Sequence, residues 1–168
     1  ILPYMAPEHE HRSLAFGTSL KVADVYFLVD TTGSMDSAII NVSSSLSGTI
    51  VPSLFSTIPN VQLGVGHFTD VPVDGHGDGG DQPYFHRQSI TDSIVDVQYW
   101  LDFIGTDPHD WGYGADWEES YAIALFLTAT GTGFTECGSS VPPQTCPAHP
   151  DEIGPRRGYP CFRPDALP

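Results

Sequence analysis

In the stretch VYFLVDTTGSM (residues 25–35), Asp30, Thr32 and Ser34 stand at alternate positions directly after an apolar run. One carboxylate and two hydroxyls on one turn are all hard oxygen donors, the set that Mg²⁺ and similar divalent cations take. The location suits a ligand, because open α/β sheets bind outside the carboxyl ends of their strands. The competing reading of Asp-Thr-Thr-Gly-Ser is a strand-to-helix turn with capping hydroxyls.

The elements that must position this turn follow from hydrophobic spacing. Residues 23–30 read as a buried strand, and Gly33 permits the sharp turn after it. From Asp36 to about Phe55, Ile39, Ile40, Val42, Leu46, Ile50, Leu54 and Phe55 recur at helical spacing, with a break expected near Pro52. A second strand is predicted over 61–70, its Gly64 and Gly66 marking close packing against a neighbour. Residues 71–83 read as a Gly/Asp-rich loop and 84–90 as a strand on the edge of the sheet. A helix capped by Thr91 or Asp92 follows to Ile104. After the Gly/Trp/Asp loop 105–117, a helix over 118–128 carries the apolar body YAIALFL and is expected to be buried. Nothing beyond Gly131 is periodic.

This order is the first half of a doubly wound, Rossmann-like α/β sheet, with about three strands and three helices. The organisation expected is an N-terminal extension (1–21), the half-domain (22–130) and an irregular Cys/Pro/Gly-rich segment (131–168). So apolar a first strand would leave an open edge with no charge or proline to block it. The chain therefore reads as incomplete, its remaining strands coming from a following segment or another chain.

Three separated motifs carry a family resemblance. VYFLVDTTGSM resembles the first metal-binding loop of von Willebrand factor type A domains, Asp-x-Ser-x-Ser, with Thr32 keeping the hydroxyl of the first Ser. VQLGVGHFTD (61–70) is similar to the second strand of the integrin β-subunit variant, which ends in an acid matching Asp70. GADWEES (114–120) is similar to the loop in which that variant places an Asp and, three residues on, a Glu, here Asp116 and Glu119. The resemblance implies a metal-ion-dependent adhesion site, with Mg²⁺ (or Ca²⁺ or Mn²⁺) held by Asp30, Thr32, Ser34 and Glu119. It also implies a second, Ca²⁺-type site using Asp70 and Asp116 beside Glu119, although Gly114 and Glu118 replace the family's Asn and Pro. The bland alternative is that Asp70 starts a loop and Asp116 caps a helix; both readings stand. The family's third loop lies outside these residues.

The function implied is adhesion: the cation coordinates an acidic residue of a protein or cell-surface ligand, without catalysis. The rivals are a metal-dependent hydrolase using Glu119 and a structural exported domain with an empty site. No G-x-S-x-G, P-loop or H-E-x-x-H pattern occurs. The resemblance extends to bacterial secreted and cell-surface examples.

Composition supports that setting. The formal charge is −15, with Lys21 and five arginines as the only fixed cations. That balance argues against nucleic acid and anionic membranes. No apolar run reads as a membrane span. Three cysteines (137, 146 and 161) fall in the irregular segment without a zinc-like pair. A Cys137–Cys146 disulfide is favoured, with Cys161 pairing elsewhere and Cys146–Cys161 as the alternative. Either implies an oxidising, extracellular location.

Secondary candidates are weaker. The loop with Asp74, Asp78 and Asp81 is Gly-rich and acidic but lacks EF-hand spacing, so a surface loop is favoured over Ca²⁺ binding. Trp111, Tyr113 and Trp117 read either as partner contacts or as cover for the sheet's end. Glu8-His9-Glu10-His11 reads as solvated rather than metal-binding.

Overall fold

The computed structural model describes residues 21–73, 75–106, 112, 114–115 and 120–166, with the backbone alone at 36 and 37. Strand β1 (Val22–Asp30) pairs in parallel with β2 (Asn60–Phe68), residue for residue from Val22 opposite Asn60 to Asp30 opposite Phe68. Strand β3 (Phe85–Thr91) runs antiparallel on the other side of β2, with register shifts between Leu63 and Gly66. Among the described residues the sheet is therefore mixed and three-stranded, in the order β1-β2-β3. The strand placements agree with the sequence reading to within two residues, and β3 lies on an edge as expected.

Alternation divides the strands between two cores. Val29, Val61, Leu63 and Val65, with Val25 and Phe27 beside them, face one layer of helices. A short 3₁₀ turn (Gly33–Met35) leads into α1 (Asp36–Ser45), a π-helical turn (Leu46–Ile50) and α2 (Val51–Thr57). These bury Ile39 and Val51 against Val97, Leu101 and Ile104 of α3 (Ile94–Thr106). No break occurs at Pro52. It sits in the first turn of α2, where its missing N–H coincides with the change from π to α pairing. The resulting run Ala38–Thr57 is long and apolar enough to cross a membrane by length and composition, contrary to expectation. Here it packs on α3 and the sheet.

The cap of α3 is Ser93, whose hydroxyl accepts the N–H of Asp96 at 3.4 Å, while Thr91 accepts the N–H of Ser93 at 3.1 Å. The expected cap was Thr91 or Asp92.

On the second face, Tyr26, Leu28 and Phe68 meet Ala124 and Leu127 of α4 (Tyr121–Thr130), together with Val141 and Tyr159. Tyr26 crosses β2 where Gly64 and Gly66 leave room: a Cβ at Gly66 would lie 2.1 Å from its hydroxyl oxygen. The glycines thus do the close-packing job their spacing suggested. Helix α4 was expected to be buried but is only half so, with Tyr121 60 %, Leu125 57 % and Phe126 55 % exposed. One sheet face covers only one side of a helix that is apolar all round.

Residues 131–166 contain only isolated bridges, Phe134–Val141 and Arg157–Phe162, as their aperiodic sequence suggested. They pack across the second face, where Ile90 N–H bonds Pro160 O at 2.9 Å and Tyr159 N–H bonds Thr128 O at 3.0 Å. The disulfide is Cys146–Cys161, with Cα atoms 5.4 Å apart. The favoured Cys137–Cys146 pairing is therefore corrected in favour of its alternative. Cys137 lies at the exposed tip between the bridged residues Phe134 and Val141, whereas Cys146 lies beside Gly158, three residues from Cys161.

Candidate metal centre

The parallel pairing delivers Asp30 and Phe68 together to the carboxyl end of the sheet. Just past that end the chain is pinned at Thr31, which is 1 % exposed. Its N–H and its hydroxyl both donate to Phe68 O at 3.0 Å. Thr32, equally buried, then turns back on Asp30: its N–H donates to Asp30 Oδ1 at 3.0 Å and its hydroxyl to the same oxygen at 2.7 Å. Ser34 Oγ lies 3.3 Å from Thr32 Oγ1 and is exposed. The three side chains singled out in the sequence thus converge on one oxygen-lined spot at the mouth of a buried turn.

This donor set fits a small divalent cation. Neighbouring oxygens of an octahedron around Mg²⁺ lie about 3 Å apart, and the separations of 2.7 and 3.3 Å bracket that value. The Thr32 proton is committed to Asp30, so the lone pairs of Thr32 Oγ1 remain for another partner. Only Asp30 supplies charge among the three. Among the described residues no group of three or more His, Cys, Asp or Glu gathers to hold a metal. The donors here are hydroxyls plus one carboxylate, and the remaining expected carboxylate, Glu119, lies outside the described residues.

Asp70, from the proposed second site, is 2 % exposed just beyond β2. Its Oδ1 accepts from Ser120 Oγ at 2.6 Å and from the Val71 N–H at 2.7 Å. Its Oδ2 is buried and has no hydrogen-bond partner among the described residues. A buried carboxylate oxygen so placed is costly unless a donor or cation meets it. Asp116 lies outside the described residues, as do Trp111, Tyr113, Trp117, Asp74 and the Glu8–His11 cluster. Ser120 is a contributor that sequence reasoning missed. It ties the start of α4 to the end of β2, and a serine before a helix gives no hint of so distant an acceptor.

The buried positions of two further groups were not anticipated. Asp81 closes the acidic loop from inside. It is 2 % exposed and accepts the N–H of Asp78 at 2.5 Å and of Gly114 at 3.2 Å. Burial raises its pKa against the lowering effect of those donors. The loop's tip is exposed as expected, but its closing acid belongs to the interior. His67 is fully buried behind the turn, stacked on Phe85 with ring centroids 4.5 Å apart. Burial first, and the charge of Arg87 second, hold its pKa well below the usual range. Arg87 Nε donates to His67 Nε2 at 2.9 Å, and His67 Nδ1 meets Thr31 Oγ1 at 3.0 Å.

Beside Asp30, a groove of about 390 Å³ runs along the outer edge of β1, lined by residues 26–30, Met35, Val42 and Leu46. No protein-family model matches the chain, and a search of characterised proteins found no match.

Proposed function

We propose that this chain is a metal-ion-dependent ligand-binding unit of the von Willebrand factor A type, built on a doubly wound sheet. The observation that carries the reading is the convergence of Asp30 Oδ1, Thr32 Oγ1 and Ser34 Oγ at the end of β1. Asp30, Thr32 and Ser34 would hold the ion, and Glu119 would add a second carboxylate. A bound Mg²⁺ would offer exchangeable positions to an acidic side chain of a protein or surface partner. The hydroxyls contribute no formal charge, so the site's affinity for that anion is kept. The chain's own task is binding and orientation, not bond making. Asp70, whose buried Oδ2 has no hydrogen-bond partner among the described residues, supports a second cation position in which Asp116 would take part.

Among the described residues no strand pairs with the outer edge of β1, and that edge and the apolar groove along it support a further strand there, supplied by another segment or chain. The Cys146–Cys161 disulfide and the acidic composition support an extracellular or cell-surface location.

The reading is tested with Mn²⁺ as a paramagnetic probe. Substoichiometric Mn²⁺ should broaden the amide signals of residues 30–35 before those of the remaining chain. Broadening confined to other acidic stretches, such as residues 74–81, would contradict it.

A further inference from the structure

We propose that His67, backed by Arg87, is a positioning residue for the Asp30–Ser34 turn, acting through the Thr31 hydroxyl. The proposal rests on the metal-binding reading above and adds residues that none of the three sequence motifs marks as functional.

The Arg87 Nε–H only donates, so His67 Nε2, 2.9 Å away, must be the accepting nitrogen. In the neutral ring the proton then resides on Nδ1 and is donated to Thr31 Oγ1 at 3.0 Å. Thr31 in turn gives its hydroxyl proton to Phe68 O, as does its backbone N–H, both at 3.0 Å. Donation thus runs in one direction along the series, from Arg87 to His67 to Thr31, and Phe68 O accepts at its end. The ring is further fixed by stacking on Phe85, at an interplanar angle of 6°.

The consequence lies in the turn. Thr31 is the residue between Asp30 and Thr32, and its three hydrogen bonds leave its backbone little freedom. Asp30 and Thr32 are then held in the arrangement in which Asp30 Oδ1 takes both Thr32 donors. Mg²⁺ demands near-ideal octahedral geometry, and residues that orient a metal's ligands change affinity about 10–100-fold when lost. Freed of the His67 bond, the turn would sample arrangements in which the three oxygens diverge. A histidine that serves only as a packed core ring would have no such effect.

Calorimetric Mg²⁺ titrations of four variants separate these cases. Thr31→Val removes the hydroxyl and keeps the shape. Thr31→Ser keeps the hydroxyl. His67→Phe keeps a ring against Phe85 without its nitrogens, and the fourth variant combines Thr31→Val with His67→Phe. We expect about tenfold weaker binding for Thr31→Val and for His67→Phe, near wild-type binding for Thr31→Ser, and a double variant no weaker than the worse single one. Amide exchange at residues 31–34 of the metal-free protein should quicken in the two weakened variants, while exchange in β2 changes less. Wild-type binding by Thr31→Val and His67→Phe, or independent effects that multiply in the double variant, would overturn the proposal and leave the metal site standing. A wild-type chain that takes up no Mg²⁺ would overturn both.

Discussion

Arg163 closes on Asp24 across 139 residues of chain, its N–H donating to Asp24 Oδ2 at 2.6 Å and its Nε to Oδ1 at 2.7 Å. Both side chains are buried, and the same guanidinium donates to Ala23 O, Asn60 O and Asn60 Oδ1. The pair thus fastens the irregular C-terminal segment to the starts of β1 and β2. Removing one partner of such a buried pair leaves an unmatched charge, at a cost of about 3–5 kcal/mol. Arg163→Ala should lower the urea unfolding midpoint accordingly, and Asp24→Asn in the same chain should recover part of the loss. An unchanged midpoint in Arg163→Ala would show that the segment does not dock as described.

Acid should weaken the fold in a defined window. His86 is engaged by Tyr26 Oη at 3.1 Å and Ser89 Oγ at 2.9 Å, and burial pushes its pKa down to about 4. His67 is shifted in the same direction. A folded pKa below the unfolded value of about 6.5 means that the folded state binds fewer protons. That stability is fully present above about pH 6.5 and is lost as pH falls toward about 4. For His86 alone the loss is on the order of 3 kcal/mol. Asp81, raised by burial, works in the opposite sense and is relieved as pH falls through its folded pKa. Unfolding midpoints measured from pH 7.5 to 4.5 should fall, and His86→Asn should flatten the profile. A flat wild-type profile would contradict the burial of these rings.

Thiol chemistry distinguishes the two cysteine pairings. Cys137 is exposed and free, so the native, unreduced protein should accept one equivalent of an alkylating reagent, at that residue. Peptide mapping should recover Cys146 joined to Cys161. In the chain-entropy account a 15-residue loop is worth about 3 kcal/mol, so Cys161→Ser should lower the unfolding midpoint. A Cys137–Cys146 peptide would contradict this arrangement.

The sequence exposed what is local. Apolar alternation and helical spacing located β1, β2, β3 and α3, because those elements bury one face and expose or pair the other. The Asp30, Thr32 and Ser34 turn was legible because its three side chains are neighbours on one short stretch. What was not legible depends on distant partners. Nothing near His67 announces that Arg87 and Thr31 meet it, and Asp81 looks like a loop residue until Gly114 is brought against it. Half of α4 stays uncovered because an all-apolar helix says nothing about how many faces its surroundings supply. The disulfide went to the alternative partner because spacing does not reveal which cysteine a turn turns outward.

Metal binding at the Asp30 turn is tested most directly by a calorimetric Mg²⁺ titration of the wild-type chain beside Asp30→Ala. The expected result is a saturable site in the wild type that weakens by about tenfold or more in Asp30→Ala, titrated well below that variant's unfolding midpoint, which should fall because the buried Thr32 loses its acceptor. No Mg²⁺ uptake by the wild type, or the same isotherm for both proteins, would contradict it.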